Sequence, residues 1–168
     1  MFYQLATTDG LTGLYIRRYF DLIFPKEIAW CRQRRLPISL LFCDIDNFKK
    51  YNDEFGHTTG DEVLRTIAGI IKSKVRDDDI ACRYGGEEMV IIIKETRRQS
   101  VNFASYSVGI KSIGDRICNE IRKKGLTVSV GICITQQEYD AEKLIKSADE
   151  CMYQAKSEGK DRTTMVVI

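Results

Sequence analysis

Residues 83–89 read Arg83-Tyr84-Gly85-Gly86-Glu87-Glu88-Met89, and short apolar runs flank this stretch on both sides. The runs at residues 80–82 and 90–93 are typical of two strands, and the stretch between them predicts a tight hairpin. Two adjacent glycines favour such a turn because both can adopt a positive φ. Two carboxylates then stand at the start of the second strand, where a ligand can reach them.

A second acidic site lies upstream of the hairpin. Residues 38–44 form a near-continuous apolar run that ends in Asp44, Ile45 and Asp46. Such a run predicts a strand that is covered on both faces. If the ends of the two strands lie side by side, their carboxylates make a site for a hard cation with room for a polyphosphate. The sequence therefore indicates a nucleotide enzyme.

Length and composition fit one globular domain, which we expect to span residues 1–168. The chain is 43% hydrophobic and 30% charged, and its net charge of +2 argues against a nucleic-acid partner. No apolar stretch has membrane-spanning length and no signal peptide is visible, so we expect a cytoplasmic domain without membrane contact. Six cysteines lack Cys-x-x-Cys spacing, and we interpret them as buried thiols in a reducing compartment.

Hydrophobic periodicity outlines the remaining elements. It predicts a helix that runs to about Arg35, a short helix at residues 47–52, a turn at 56–60, and longer helices at 61–74, 106–125 and 141–157. It also predicts strands at residues 126–134 and 165–168, and it leaves residues 95–105 unassigned. Helices and strands mixed around a central hairpin indicate an α+β domain with a largely antiparallel central sheet and helices on its faces.

Six motifs in this order resemble those of the GGDEF domain family, the catalytic module of diguanylate cyclases. They lie at residues 9–18, 44–53, 55–61, 83–89, 129–132 and 148–160, and together they span nearly the whole chain. The signature is a Gly-Gly-Glu-Glu-Met variant, because Met89 replaces the usual Phe. The resemblance implies a palm-like sheet related to those of nucleotide cyclases and polymerases, within a fragment of a larger signalling protein.

The resemblance also implies a reaction in which two GTP molecules condense to cyclic di-GMP with release of two pyrophosphates. Each domain of a facing homodimer binds one GTP. Asp44, Glu87 and the carbonyl of Ile45 would hold Mg²⁺ or Mn²⁺, since oxygen ligands suit these cations. Glu88 would assist the attacking 3′-hydroxyl or join the metal shell. The alternative, if the resemblance is set aside, is that Asp44 and Glu87 are solvated carboxylates at the ends of strands.

Other residues correspond to the family's nucleotide-binding positions. Asn52 and Asp61 would read guanine, because an amide can pair with N3 and the exocyclic amine while a carboxylate accepts from N1–H and N2–H₂. The alternative is that both are helix caps. Gly85 and Gly86 would let the backbone approach the nucleotide. The phosphate-binding candidates are Phe48 through its backbone amide, Lys49, Lys156, and Lys160 where the family usually has Arg.

Arg76 and Asp79 match the spacing of the family's product-binding inhibitory site. An Arg can stack on guanine and an Asp can accept from its Watson–Crick edge, whereas the simpler interpretation is a charged turn. Two alternatives to an active cyclase stay open. One is a catalytically inactive domain that senses GTP or cyclic di-GMP, and the other is a relative with a different product. The retained acids favour the enzyme, and Asp61 favours guanine.

Overall fold

The computed structural model describes residues 7–96 and 102–168. Within these residues, six strands and five helices follow one another along the chain. They are β1 (Tyr15–Ile16), α1 (Arg17–Arg34), β2 (Ile38–Ile45), α2 (Phe48–Phe55), α3 (His57–Lys74), β3 (Ile80–Arg83), β4 (Glu88–Lys94), α4 (Phe103–Arg122), β5 (Val128–Thr135), α5 (Ala141–Ser157) and β6 (Arg162–Val167).

The strands form one sheet in the order β1-β3-β4-β2-β5-β6. The four inner strands are antiparallel neighbours, and β1 and β6 join the two edges in parallel. The predicted α+β class with a largely antiparallel sheet is therefore confirmed. The last strand was predicted at residues 165–168, whereas β6 begins earlier, at Arg162. The edge strand β1 was not predicted, because it has only two residues.

Helices cover both faces of the sheet, and the alternation along β2 shows how. Leu41, Cys43 and Ile45 face the core formed with α3 and α4. Leu40 and Phe42 face the core formed with α1 and α5. Every residue of β2 is buried, as the continuous apolar run predicted. The acids that follow this run are consequently brought to one end of the sheet.

The predicted helix boundaries lie within about three residues of those in the structure, except at one place that matters for the site. The helix at residues 141–157 is confirmed in full, whereas the predicted turn at residues 56–60 is wrong. Gly56, with φ of 87°, is the single residue between the two helices, and α3 begins at His57. Helices α2 and α3 therefore meet at a joint of a single residue. The helix α4 begins at Phe103, inside the segment left unassigned, of which residues 97–101 lie outside the described residues.

All six cysteines are buried and free, as expected of thiols in an apolar core. Burial raises the pKa of Cys31, Cys82 and Cys133 to about 12, so these thiols stay protonated at neutral pH. None of the helices in the described part of the chain is both long and apolar enough to cross a membrane.

Candidate functional site

A pocket of about 450 Å³ opens between α2, α3 and the β3–β4 turn. This volume lies in the range of small-molecule sites. Asn52 from α2, Asp61 from α3 and Glu87 from the turn all line it, so the structure brings together two predicted base-reading residues and one predicted catalytic acid. The other lining residues are Phe48, Lys49, Asp53, His57, Leu64, Arg83 and Gly86.

The interpretation of Asn52 and Asp61 as helix caps is wrong. The residue that caps α3 is Gly56, and Asp61 lies inside the helix beyond its first turn. Asn52 lies inside α2, where its backbone carbonyl accepts a hydrogen bond from the Gly56 amide at 2.8 Å. His57, to which we assigned no catalytic role, is exposed at the mouth of this pocket. Neither predicted base-reading side chain is committed to capping a helix.

The β3–β4 turn closes on the carbonyl of Glu88, which accepts from the amides of Tyr84 at 2.8 Å and Gly85 at 3.1 Å. The predicted positive φ of Gly85 and Gly86 is wrong, since neither glycine adopts it. Gly85 contributes to the turn in a different way. A Cβ there would lie 2.5 Å from Oε2 of Glu88, so the missing side chain leaves room for this carboxylate to fold back over the turn.

Arg83 holds the turn in place, a role that the sequence did not reveal. Its Nη2 donates to the carbonyl of Gly86 at 2.9 Å, and its Nη1 contacts both carboxylate oxygens of Asp9 at 3.3 Å. Burial pushes the pKa of Asp9 upward, but hydrogen bonds from Thr12 and the charge of Arg83 outweigh it and lower that pKa. The motif at residues 9–18 is thereby tied to the hairpin.

Asp44 and Glu88 are direct partners across β2 and β4. Asp44 Oδ1 lies 2.9 Å from Nζ of Lys156, an ion pair outside hydrogen-bond geometry. Burial raises the pKa of both carboxyls, and the charge of Asp149 on α5 adds to each shift. Lys156 opposes both shifts. The structure thus gathers three acids and one lysine at this end of the sheet, of which Asp149 had no predicted role.

Glu87 and Glu88 lie on different sides of the hairpin. Glu87 lines the pocket with Asn52, while Glu88 lines a second cavity of about 450 Å³ beside α5. The neighbour of Asp44 is therefore Glu88, although Glu87 was the predicted co-ligand. Among residues 7–96 and 102–168, no three His, Cys, Asp or Glu side chains are arranged to hold a metal ion. The metal ligands stay a prediction.

Lys160 is presented by a tight turn after α5, in which Lys160 and Asp161 both have positive φ, 64° and 48°. The Lys160 Nζ reaches Oδ1 of Asn47, just after β2, at 2.5 Å. Lys156 and Lys160 therefore approach the same end of β2 as Asp44. Phosphate binding by these two lysines stays a prediction.

Asp46 anchors the Lys160 turn and was missed as a structural residue. Its carboxylate accepts from Thr127 Oγ1 at 2.8 Å, Ser129 Oγ at 2.7 Å and the Asp161 amide at 3.1 Å. Arg122 on α4 also stabilises this turn. Its Nε donates to Asp161 Oδ2 at 2.7 Å, and its Nη2 donates to Asp161 Oδ1 at 3.0 Å. The available signal was the alternation of Thr127 and Ser129, two polar residues just before and within the apolar strand β5.

Arg76 and Asp79 form the turn between α3 and β3. Asp79 Oδ2 accepts from the Arg76 amide at 2.7 Å, and the Asp79 amide donates to the Arg76 carbonyl at 3.1 Å. The carboxylate thus has a structural task in this turn. The Arg76 side chain is exposed, and its role in product binding stays a prediction.

Comparison with known proteins agrees with this geometry. The family model described as diguanylate cyclase, GGDEF domain, matches residues 6–162. Response regulator PleD of Caulobacter vibrioides is 40% identical over 161 residues, covering 94% of this chain and 36% of PleD. Diguanylate cyclase DosC of Escherichia coli is 35% identical over 167 residues, covering 94% of this chain and 34% of DosC.

Solved structures show the same fold. The coiled coil and GGDEF domain of DgcB from Caulobacter crescentus, in complex with c-di-GMP, superposes with a TM-score of 0.81 at 28% identity and covers 98% of this chain and 88% of that chain. The active GGEEF domain of a diguanylate cyclase from Vibrio cholerae gives 0.78 at 27% identity, covering 89% and 95%.

This chain belongs to the GGDEF domain family. It spans about a third of the length of PleD and DosC.

Proposed function

We propose that this domain is a diguanylate cyclase that condenses two GTP molecules into cyclic di-GMP and releases two pyrophosphates. The observation that carries the proposal is the shared pocket, in which Asn52 and Asp61 lie beside Glu87 of the hairpin. An amide and a carboxylate together match the Watson–Crick edge and exocyclic amine of guanine. The names of DosC and of the Vibrio cholerae structure support the same activity.

The end of β2 fits a divalent cation such as Mg²⁺ or Mn²⁺. Oδ1 of Asp44 is buried and accepts no hydrogen bond within the described residues, and Lys156 is the cation it contacts. We propose Asp44, Glu87 and the carbonyl of Ile45 as the residues that would hold the metal. When bound, the metal would neutralise charge on the reacting phosphates, which is the main requirement of phosphoryl transfer.

The chain's own residues supply the remaining parts of the reaction. Lys156 and Lys160 would contact the phosphates, since both reach the end of β2. Glu88 would accept the proton of the attacking 3′-hydroxyl. Its pKa is raised by burial and by the charges of Asp44 and Asp149, which brings it nearer to the pH at which a general base works best.

Incubation with GTP and Mg²⁺, followed by nucleotide chromatography, tests the proposal. We expect cyclic di-GMP as the product and no cyclic dinucleotide from ATP. A protein that binds GTP but forms no product, even at high protein concentration, would be the inactive sensor domain considered above. A protein that forms a cyclic product from ATP would contradict the role of Asp61 as a guanine reader.

Assembly is expected to limit the isolated domain. In the proposed reaction each domain holds one of the two GTP molecules, so the specific activity should rise with protein concentration. Fusion to a dimerising coiled coil should raise it further, because the second domain is then supplied at millimolar effective concentration, ~10³-fold above a micromolar solution. Initial rates at several protein concentrations measure the effect.

The matched control is the same coiled coil carrying a helix-breaking proline. Sedimentation should show that this fusion is monomeric, and its rate should match that of the isolated domain. A concentration-independent rate from a chain shown to be monomeric would exclude the two-domain reaction.

We also propose that cyclic di-GMP inhibits the enzyme by binding at Arg76 and Asp79. We expect cyclic di-GMP to inhibit without competing with GTP, because Arg76 and Asp79 lie at the far end of β3 from the hairpin. Arg76→Ala should weaken cyclic di-GMP binding at least tenfold, about the effect of losing one charged contact, and leave uninhibited turnover unchanged. Calorimetry with cyclic di-GMP measures the difference. The control is Arg65→Ala, on the exposed side of α3, and equal affinities in all three proteins would leave the Arg76–Asp79 segment as a charged turn only.

A further inference from the structure

Gly60 lies at the place where α3 packs against α2, next to the predicted base-reading residue Asp61. A Cβ at Gly60 would be 1.8 Å from Oδ1 of Asn52, 2.9 Å from its Cγ and 3.3 Å from Cζ of Phe48. In real proteins, the non-bonded contacts of a Cβ atom are essentially never shorter than 3.0 Å. The amide of Asn52 therefore occupies the space that any other residue at position 60 would fill.

The position of this amide has a cost that the described residues do not offset. Oδ1 of Asn52 is buried and has no hydrogen-bond partner among them. A buried acceptor without a partner is unfavourable and calls for an explanation, such as a ligand that donates to it. Asn52 is one of the residues that line the pocket, and the exocyclic amine of guanine is a donor of the required kind.

The backbone of Asn52 has little freedom to move away from Gly60. Its backbone carbonyl is fixed by the Gly56 amide, and Phe48, one turn earlier in α2, is buried against the core. The two helices are joined by Gly56 alone, so α2 cannot shift without disturbing the start of α3. An added methyl group would consequently be relieved by turning the Asn52 side chain out of its present position.

We infer that Gly60 is a positioning residue for Asn52, and that its missing side chain sets the recognition of the exocyclic amine of guanine. The inference rests on the proposed function, because it takes Asn52 as a reader of the base. It goes beyond that function in assigning specificity to a residue that itself has no side chain to offer a ligand.

Gly60→Ala tests the inference, with Gly69→Ala as its matched control. Both glycines lie in α3, but a Cβ at Gly69 would meet nothing within 4 Å. Alanine favours a helix over glycine at either position, so Gly69→Ala should raise the urea midpoint and bind a non-hydrolysable GTP analogue as the wild type does. Gly60→Ala should bind this analogue about tenfold more weakly, the loss expected for one hydrogen bond to a base.

The corresponding inosine analogue, which lacks the exocyclic amine, separates recognition from general damage. The wild type and Gly69→Ala should prefer the guanosine analogue over the inosine analogue, whereas Gly60→Ala should lose most of this preference. Affinity for the inosine analogue should change less than twofold. Calorimetry in the presence of Mg²⁺ gives all six affinities. A folded Gly60→Ala that keeps the full preference would overturn the inference.

An Asn52→Ala background shows whether the effect acts through Asn52. In that background the space beside Gly60 is vacated, so adding Gly60→Ala should neither lower the urea midpoint nor weaken analogue binding further. If Gly60→Ala alone fails to fold, refolding of the double variant supports the contact and failure of the double variant overturns it.

The same set of proteins also distinguishes this inference from the proposed function. If the wild type and Gly69→Ala show no affinity for the guanosine analogue, the proposed function fails, while the urea midpoints still decide whether Gly60 and Asn52 are coupled. If both bind the analogue and Gly60→Ala binds it equally well, the proposed function stands and only the role of Gly60 is removed.

Discussion

Glu87→Gln is expected to reduce the formation of cyclic di-GMP by at least about a hundredfold, the loss typical of one charge-stabilising group at a reaction centre. Glu87 lines the pocket with Asn52 and Asp61 and is a proposed metal ligand. Glutamine has nearly the same shape but carries no charge, so the fold should be kept while the affinity for the cation falls. Nucleotide chromatography of the product gives the rate.

The control for Glu87→Gln is Glu62→Gln, an exposed position on α3. Both variants should unfold at the urea concentration of the wild type, and only Glu87→Gln should lose activity. Metal titration followed by calorimetry should show weaker Mg²⁺-dependent binding of a GTP analogue in that variant alone. Full turnover by Glu87→Gln would remove Glu87 from the reaction and leave Glu88, the direct neighbour of Asp44, as the essential acid of the hairpin.

Asp46→Ala is expected to lower the free energy of unfolding by about 3 kcal/mol, because hydrogen bonds to a charged group contribute roughly 1.5–3 kcal/mol and several are lost together. The hydroxyls of Thr127 and Ser129 and the amide of Asp161 all lose their acceptor. The positive φ of Lys160 and Asp161 would then lack part of its support. Urea unfolding monitored by circular dichroism measures the change.

Asp115→Ala provides the comparison for Asp46→Ala. Asp115 pairs with Lys111 on α4 with 45% of each side chain exposed, and such pairs contribute about 1 kcal/mol or less. Its removal should leave the urea midpoint nearly unchanged. If Asp46→Ala is as stable as Asp115→Ala, water replaces the carboxylate at Thr127 and Ser129, and the Lys160 turn holds itself.

Much of the fold could be predicted from local pattern. The helix at residues 141–157 has both a clear apolar period and an N-terminal acid, and the side chain of Asp140 does cap it by accepting from the Lys143 amide at 2.8 Å. The strand β2 is a continuous apolar run, which has few alternatives. The boundary at Gly56 was placed wrongly because Gly56 and Gly60 look alike in sequence, whereas one ends a helix and the other allows two helices to pack closely.

The site could be predicted only in part, since it depends on contacts between distant residues. The spacing of motifs identified Asn52, Asp61 and the hairpin acids as candidates, but it did not indicate that Glu88 and not Glu87 pairs with Asp44 across the strands. The link from Arg83 to Asp9 spans 74 positions, and no local pattern reveals it. Gly85 was expected to provide backbone freedom and instead provides space for a carboxylate.

The contact between Asp44 and Lys156 pairs this one carboxylate with a lysine, while Glu88 and Asp149 add further negative charge nearby. In the proposed cyclase, Lys156 would leave the buried carboxylate of Asp44 when it turns toward a phosphate. A metal ion held by Asp44 would then balance the negative charge of that carboxylate. Nucleotide and metal are thus expected to bind cooperatively, each poorly without the other. The domain is therefore expected to bind free divalent ions weakly and to bind the metal–nucleotide complex tightly.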